Sequence, residues 1–152
     1  MKKLVTYFSA SGVTAEKGQA LAKVIGAEVH EIAPAERYTA DDLNWTNKKS
    51  RSSVEMADEK SRPALLEKTT ELAAYDTIYI GFPIWWYTAP HIINSFIESN
   101  DLAGKRILLF ATSAGSNIQK ALDDLRAAYP ALHIVGGKML NGAVSGDIDD
   151  GQ

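Results

Sequence analysis

Hydroxyl side chains cluster in one short segment near the start of the chain, directly after an apolar stretch. Ser9, Ser11 and Thr14 surround Gly12, and a sequence typical of a helix follows. Hydroxyls hydrogen-bond to anions, glycine lets the backbone approach a ligand, and a helix N-terminus attracts negative charge. The segment therefore predicts an anion site, with phosphate as the first candidate. The alternative is a capped helix start that holds no ligand.

The absence of known phosphate-binding patterns limits the kinds of phosphate ligand that this segment could bind. The sequence contains neither G-x-x-x-x-G-K-[ST] nor G-x-G-x-x-G, the patterns of nucleoside triphosphate and dinucleotide sites. Residues 9–14 also contain no lysine. These facts argue against hydrolysis of a nucleoside triphosphate.

A second segment that could take part in ligand binding is aromatic. Trp85, Trp86 and Tyr87 are consecutive within Pro83–Thr88. Consecutive aromatic side chains in a loop need something to pack on, and a flat aromatic ligand would satisfy them by offset stacking. The alternative is that one or two fill the core and another covers the surface.

A third segment, Thr112–Ser116, is small and polar, and predicts either a ligand edge lying against backbone N–H groups or an ordinary turn.

Other candidate residues carry weaker signals. Lys48, Lys49 and Arg51 form a basic patch that would contact dinucleotide phosphates or an acidic partner, although a solvated surface explains it more simply. His91 follows the aromatic segment and is interpreted as a helix-start residue without a catalytic role. The spacing of histidine and acidic residues indicates no metal site, and no catalytic acid or base stands out.

Composition sets the limits. The chain has 152 residues, which predicts a single domain over 1–152, and a net charge of −3, which argues against a nucleic-acid partner. It has no cysteine, which excludes disulfides and fits a cytoplasmic location. The apolar run after Lys2 and Lys3 is too short for a signal peptide, and Gly81, Pro83 and Pro90 interrupt the other apolar stretch, so no membrane span is expected.

Strands and helices alternate along the predicted chain. Most of the strands are nearly continuous apolar runs, which is typical of a parallel sheet covered on both faces. The second strand is polar and suits a sheet edge. The predicted strands are Lys3–Phe8, Ala27–Ile32, Thr77–Phe82, Arg106–Ala111 and His133–Leu140. The predicted helices are 14–25, 62–73, 90–98 and 117–129, the last with a capping box at 116–119.

This order predicts an α/β fold, a doubly wound five-stranded parallel sheet with strand order 2-1-3-4-5. In that order the loops after strands one, three and four are neighbours. A closing helix is expected after the fifth strand, but the sequence from Ser145 to Gln152 predicts a short or missing one. We therefore expect one apolar sheet face to lack cover near strands three to five. A partner chain, as in a homodimer, would cover it; truncation and natural brevity explain it equally well.

The three loops together resemble those of the flavodoxin family. Ser9-Ala10-Ser11-Gly12-Val13-Thr14 is similar to its phosphate loop, [ST]-x-[ST]-G-x-[ST], and Gly81–Trp86 and Thr112–Ser116 are similar to its flavin-flanking loops. The resemblance is closest to a branch of small flavodoxin-like proteins with a Pro-Ile-Trp-Trp loop. Asn44-Trp45-Thr46 and Ser50-Arg51 also resemble that branch, and the resemblance extends to about Ser145.

The resemblance implies a bound flavin mononucleotide (FMN) and assigns residues to each part of it. The phosphate is assigned to Ser9, Ser11, Gly12, Val13 and Thr14. The isoalloxazine is assigned to Pro83, Ile84, Trp85, Trp86 and Tyr87, with Trp86 or Tyr87 nearest the ring. Its pyrimidine side is assigned to Ser113, Ala114, Gly115 and Ser116.

The activity implied is electron transfer, in one of two forms. The first is an NAD(P)H-dependent oxidoreductase that reduces a quinone-like acceptor. The second is a one-electron carrier that docks redox-protein partners. Many flavodoxins have a glycine in the loop facing flavin N5, where a peptide flip stabilises the one-electron-reduced flavin. Residues 83–88 contain no glycine, which argues against a dedicated carrier. A non-catalytic receiver-like domain is a third reading, but Ser9 and Ala10 stand where paired acids would be expected.

Overall fold

The computed structural model describes residues 2–67, 71–113 and 116–140. In this part of the chain, strands and helices alternate. The strands are β1 (Lys3–Tyr7), β2 (Glu28–Glu31), β3 (Thr77–Pro83), β4 (Arg106–Thr112) and β5 (His133–Met139). The helices are α1 (Val13–Ile25), α2 (Arg51–Ala57), α3 (His91–Ser99) and α4 (Gln119–Ala128).

The five strands form one parallel sheet in the order β2-β1-β3-β4-β5, as the sequence predicts. β1 pairs with β3 from Lys3↔Thr77 to Tyr7↔Gly81 and has β2 on its other side, so the strand order reverses at β1 and β3. The polar β2 is an edge strand, also as predicted. A register shift after Ile107, where Val135 adds one residue to β5, marks a β-bulge between β4 and β5.

Helices cover both faces of the sheet. Alternate strand residues such as Ile78 and Ile80 pack with α3 and α4 on one face, while Val5 and Tyr79 pack with Leu21 of α1 on the other. This alternation follows from the two-residue period of a strand. The sheet is thus buried on both sides, which explains why its central strands are nearly continuous apolar runs.

The uncovered apolar face expected near strands three to five is not observed in the described strands. Tyr79, Leu108 and Phe110 on that face are fully buried. Gly81 makes room for the Phe110 ring on this face, because an added Cβ at Gly81 would be 2.0 Å from the ring. The prediction of a short or missing closing helix concerns residues 141–152 and lies outside the described residues.

The helix predicted over 62–73 is wrong in its described residues. Ala35 N donates to Ala64 O (2.8 Å) and Leu66 N donates to Ala33 O (2.9 Å), so this segment pairs with the chain after β2. The second helix is instead α2, which ends at Ala57, before the predicted position. The Ser50 side chain caps it by accepting a bond from Ser53 N.

Helix α4 begins without the predicted capping box. Its N-cap residue is Ile118, and Gln119 N donates to Asn117 Oδ1 (3.0 Å). The Gln119 side chain, which a capping box would turn back to the helix start, donates to Asp123 Oδ1 (2.9 Å). The helix itself lies where it was predicted.

Candidate functional site

The loop after β1 enters α1 without a side-chain cap on the helix. Gly12, the N-cap residue, has a φ of 97°, a left-handed value that favours glycine. Its N–H donates to Ser9 Oγ (3.1 Å), and its carbonyl accepts the first helical bond from Glu16 N (3.1 Å). The backbone N–H groups of residues 13–15, in the first turn of the helix, have no acceptor within the helix. They form the positive end of α1 beside the exposed Ser11 and Val13.

Thr14 has a different role from the other hydroxyl residues of this loop. It is only 2% exposed, and its Oγ1 lies 2.8 Å from Thr112 Oγ1. This buried bond ties the start of α1 to the end of β4. Thr112 belongs to the third predicted segment, but it was not assigned to any part of FMN. Its position as the last residue of a buried strand was the signal that could have identified it.

These loops border a cleft of about 630 Å³ at the carboxyl edge of the sheet. The cleft opens where the strand order reverses, which is the usual ligand position in an open α/β sheet. Its volume lies within the range of small-molecule sites. The residues that line it are Ser11, Val13, Lys17, Pro83, Ile84, Trp85, Thr112, Ser113 and Leu140.

The aromatic segment forms a tight turn beside this cleft. Trp85 and Thr88 exchange two backbone hydrogen bonds of 2.9 and 3.0 Å. The central residues Trp86 and Tyr87 have φ values of 48° and 68°, and positive values at both positions mark a type I′ turn. Such backbone strain at bulky residues persists only when surrounding contacts impose it, and it is typical of functional sites.

The turn separates the three aromatic side chains. Trp85 is half-buried and lines the cleft, whereas Trp86 is 43% exposed and Tyr87 is 69% exposed, and neither lines it. The Trp85 ring packs edge-on against Phe8 (5.6 Å between centroids) and Tyr38 (5.4 Å). The sequence also allowed one ring to be packed and another to lie at the surface. That alternative describes the packed Trp85 and the exposed Trp86 and Tyr87.

Tyr38 is itself fixed by charged neighbours. The Arg51 guanidinium lies 3.8 Å above its ring, and its hydroxyl donates to Glu55 Oε1. Burial and the Glu55 carboxylate raise the pKa of Tyr38 far above its ordinary value, so it remains a neutral donor. Arg51 also donates to Glu55 Oε2 (3.0 Å) and does not join the exposed Lys48 and Lys49 in a basic patch.

A second cleft, also of about 630 Å³, lies on the other side of the turn and includes Trp86 and His91. Ser61 Oγ donates to Glu55 O (2.6 Å) and lies 2.7 Å from His91 Nδ1. Since the only Ser61 proton is used, His91 Nδ1–H must be the donor in the second bond. Burial lowers the pKa of His91, which keeps the ring neutral. His91 thus has a structural partner and lies apart from the first cleft.

The structure brings together part of each predicted contact group. Ser11 and Val13 of the first loop, Pro83, Ile84 and Trp85 of the second, and Ser113 of the third share the first cleft. Ser116 N donates to Ser113 Oγ (3.1 Å), while Ala114 and Gly115 lie outside the described residues. Lys17, one turn into α1, also lines the cleft. It was missed because the motif ends at Thr14, although residues one turn apart share a helix face.

The described residues contain no group of three or more His, Asp or Glu side chains placed to hold a metal ion. None of their helices is long and apolar enough to cross a membrane.

Comparison with known proteins gives a consistent family and fold. A family model described as Flavodoxin matches residues 2–149. A crystal structure of a proposed flavoprotein from Bacteroides uniformis is 53% identical, with a TM-score of 0.93, 98% of this chain covered and 96% of the other. One from Bacteroides eggerthii is 47% identical, with a TM-score of 0.94 and coverage of 98% and 94%.

A more distant structure adds support for the fold. A flavoprotein from Lactobacillus acidophilus, crystallised in complex with FMN, is 20% identical, with a TM-score of 0.74. The match covers 91% of this chain and 92% of that one. A comparison with curated proteins found no match.

Proposed function

Because the chain belongs to the flavodoxin family, we propose that it is an FMN-binding flavoprotein that transfers electrons. One observation carries the proposal: the positive start of α1 and the aromatic turn border the same cleft at the β1/β3 switch point. A phosphate site joined to a flat apolar wall matches the two ends of FMN. The Lactobacillus acidophilus flavoprotein, which was crystallised with FMN, has the same fold.

The cleft residues fit the two ends of this cofactor. The Ser11 hydroxyl and the first-turn N–H groups of α1 would bind the phosphate, and the Lys17 ammonium would add positive charge. Pro83, Ile84 and Trp85 would line the isoalloxazine on one side and Ser113 on the other. Bound FMN supplies the redox chemistry, while the chain binds and orients it.

Within this function, the turn favours an enzyme that uses NAD(P)H and a quinone-like acceptor. A flip of the central peptide would convert the type I′ turn to type II′, which requires glycine at its first central position. Trp86 occupies that position. The device by which many carriers favour one-electron reduction is therefore blocked here.

A different observation favours the second candidate, a carrier that docks protein partners. Trp45 is 73% exposed and Tyr87 is 69% exposed near the cleft, and exposed aromatic side chains are common at protein interfaces. The two candidates differ in how electrons leave the protein rather than in the cofactor.

FMN titration followed by reduction tests the proposal. We expect the chain to bind FMN with a shifted visible spectrum and to oxidise NADH or NADPH steadily when a quinone is present. A redox titration should show one two-electron step for the enzyme and two separated one-electron steps for the carrier. A colourless chain that takes up no FMN would contradict the proposal and revive the receiver-like reading.

A further inference from the structure

A small cavity lies beside the proposed cofactor cleft. Its volume is about 130 Å³. It contains every tryptophan of the chain, since Trp45, Trp85 and Trp86 all line it. The complete lining is Leu43, Trp45, Ser52, Ile84, Trp85 and Trp86.

Ser52 is the polar residue of this lining. It is 2% exposed, and its Oγ is buried without a hydrogen-bond partner in the described part of the chain. Its neighbours are satisfied, because Ser50 Oγ donates to Ser53 Oγ (2.9 Å) and the Ser52 N–H donates to Asp42 O (2.9 Å). Buried hydroxyls are nearly always hydrogen-bonded, so an unpartnered one in a cavity wall indicates a ligand.

The size and lining of the cavity define the ligand. An apolar cavity of about 150 Å³ accommodates benzene, so this one fits a single six-membered ring. Indole faces favour an aromatic or conjugated ring by stacking. No charged side chain is among the residues that line the cavity, which argues for an uncharged ring. The Ser52 hydroxyl would donate to an oxygen on that ring.

The cavity adjoins the proposed FMN site directly. Ile84 and Trp85 line both the cavity and the large cleft. A ring in the cavity would thus be separated from the cleft by one layer of side chains, those of Ile84 and Trp85. That position suits the molecule that exchanges electrons with the cofactor.

We propose that this cavity binds the ring of a neutral quinone, with Ser52 Oγ donating a hydrogen bond to a ring carbonyl and Trp45 covering the ring. The role of this quinone as the electron acceptor rests on the proposed function. Its binding rests only on the side chains of the cavity and does not require FMN.

A titration followed by nuclear magnetic resonance tests the proposal in the FMN-free and FMN-loaded protein. The probes are 1,4-benzoquinone and benzene, at pH 6, where lysine amines are protonated and do not add to the quinone. The three indole N–H signals, assigned with single Trp→Phe variants, report on the cavity. We expect saturable shifts of all three with benzoquinone in the FMN-free protein.

Two variants separate the hydrogen bond from the ring contact. Ser52→Ala should weaken benzoquinone binding about 3- to 10-fold and leave benzene binding unchanged, because only the quinone accepts a hydrogen bond. Trp45→Ala should weaken the binding of both ligands about tenfold and leave the fold intact, because the side chain is exposed. Ser53→Ala, on the same helix but outside the lining, is the control and should change neither affinity.

Each result decides something. Indole signals that do not shift, or a Ser52→Ala variant that binds both probes like the parent, would overturn the inference. Benzoquinone binding to a chain that takes up no FMN would uphold the cavity and contradict the proposed function. FMN uptake without benzoquinone binding would support the proposed function and contradict the proposal for the cavity.

Discussion

The two loops that flank the cleft reach positive φ values by opposite means. The loop after β1 places glycine at its left-handed position, Gly12, where an added Cβ would meet nothing within 4 Å. The turn after β3 places Trp86 and Tyr87 in that conformation. A glycine adopts it without strain, whereas other residues cost roughly 1 to 2 kcal/mol each. The first loop is therefore shaped by its own sequence, and the second by its surroundings.

The contacts that impose the second conformation lie on each side of the turn. Trp85 packs edge-on against both Phe8 and Tyr38, which also contact each other. On the other side, the Thr88 hydroxyl donates to Asp124 Oδ2 of α4 (2.6 Å), which also accepts from Lys120. We propose that the two loops have separate roles: the intrinsically stable loop would bind the phosphate, and the turn held by tertiary contacts would border the flavin ring.

The largest expected effect is on the first loop. Ser11→Asp places a carboxylate where the phosphate would bind and should weaken FMN binding by at least about 100-fold, through repulsion and a lost hydrogen bond. Isothermal titration calorimetry measures it. Val24→Asp adds the same charge at the far end of α1 and is the control. Unchanged FMN affinity in Ser11→Asp, with native circular dichroism, would show that the phosphate binds elsewhere.

The next effect tests whether tertiary contacts hold the second loop. Trp85→Ala removes a half-buried ring packed on two aromatic neighbours and should lower the free energy of unfolding by about 2 to 3 kcal/mol. Tyr87→Ala, at an exposed site, should change it by less than about 0.5 kcal/mol. Urea denaturation compares them. Equal effects would mean that Trp85 does not anchor the turn.

The smallest expected effects are on the free energy of unfolding, and they have opposite signs in the two loops. Gly12→Ala meets no steric obstacle but must adopt a φ of 97°, so it should destabilise the protein by about 1 to 2 kcal/mol. Tyr87→Gly relieves strain and should stabilise it by about 0.5 kcal/mol after the entropy of the unfolded chain is included. Thermal unfolding gives both signs. Destabilisation by Tyr87→Gly would contradict the assignment of strain to this turn.

The same contrast explains what the sequence could predict. The five strands, the order of the sheet and the first loop follow from local patterns, namely apolar runs and a hydroxyl-rich segment around Gly12. The helix predicted over 62–73 is wrong in its described residues because Pro34 and Leu65 pair across the chain, a tertiary contact that no local pattern contains. Helix α2 was missed because its seven residues, Arg51–Ala57, are too few to show a clear helical spacing of apolar residues.

The candidate site divides in the same way. The aromatic segment was recognised as important, but the separation of Trp85 from Trp86 and Tyr87 depends on a type I′ turn without its usual glycine. The Thr14 to Thr112 bond joins loops distant in sequence, and the buried Ser52 hydroxyl lies in a helix that was not predicted. Long-range packing decides each of these features.

The central claim, that the start of α1 binds the phosphate of FMN, is tested most directly by omitting that phosphate from the ligand. Riboflavin has the same ring and lacks the phosphate, so its affinity for the FMN-free protein isolates the contribution of this loop. Several charge-assisted hydrogen bonds from Ser11 and the α1 N–H groups should make FMN bind at least about 100-fold more tightly than riboflavin. Equal affinities for FMN and riboflavin, measured by flavin fluorescence quenching, would contradict the account.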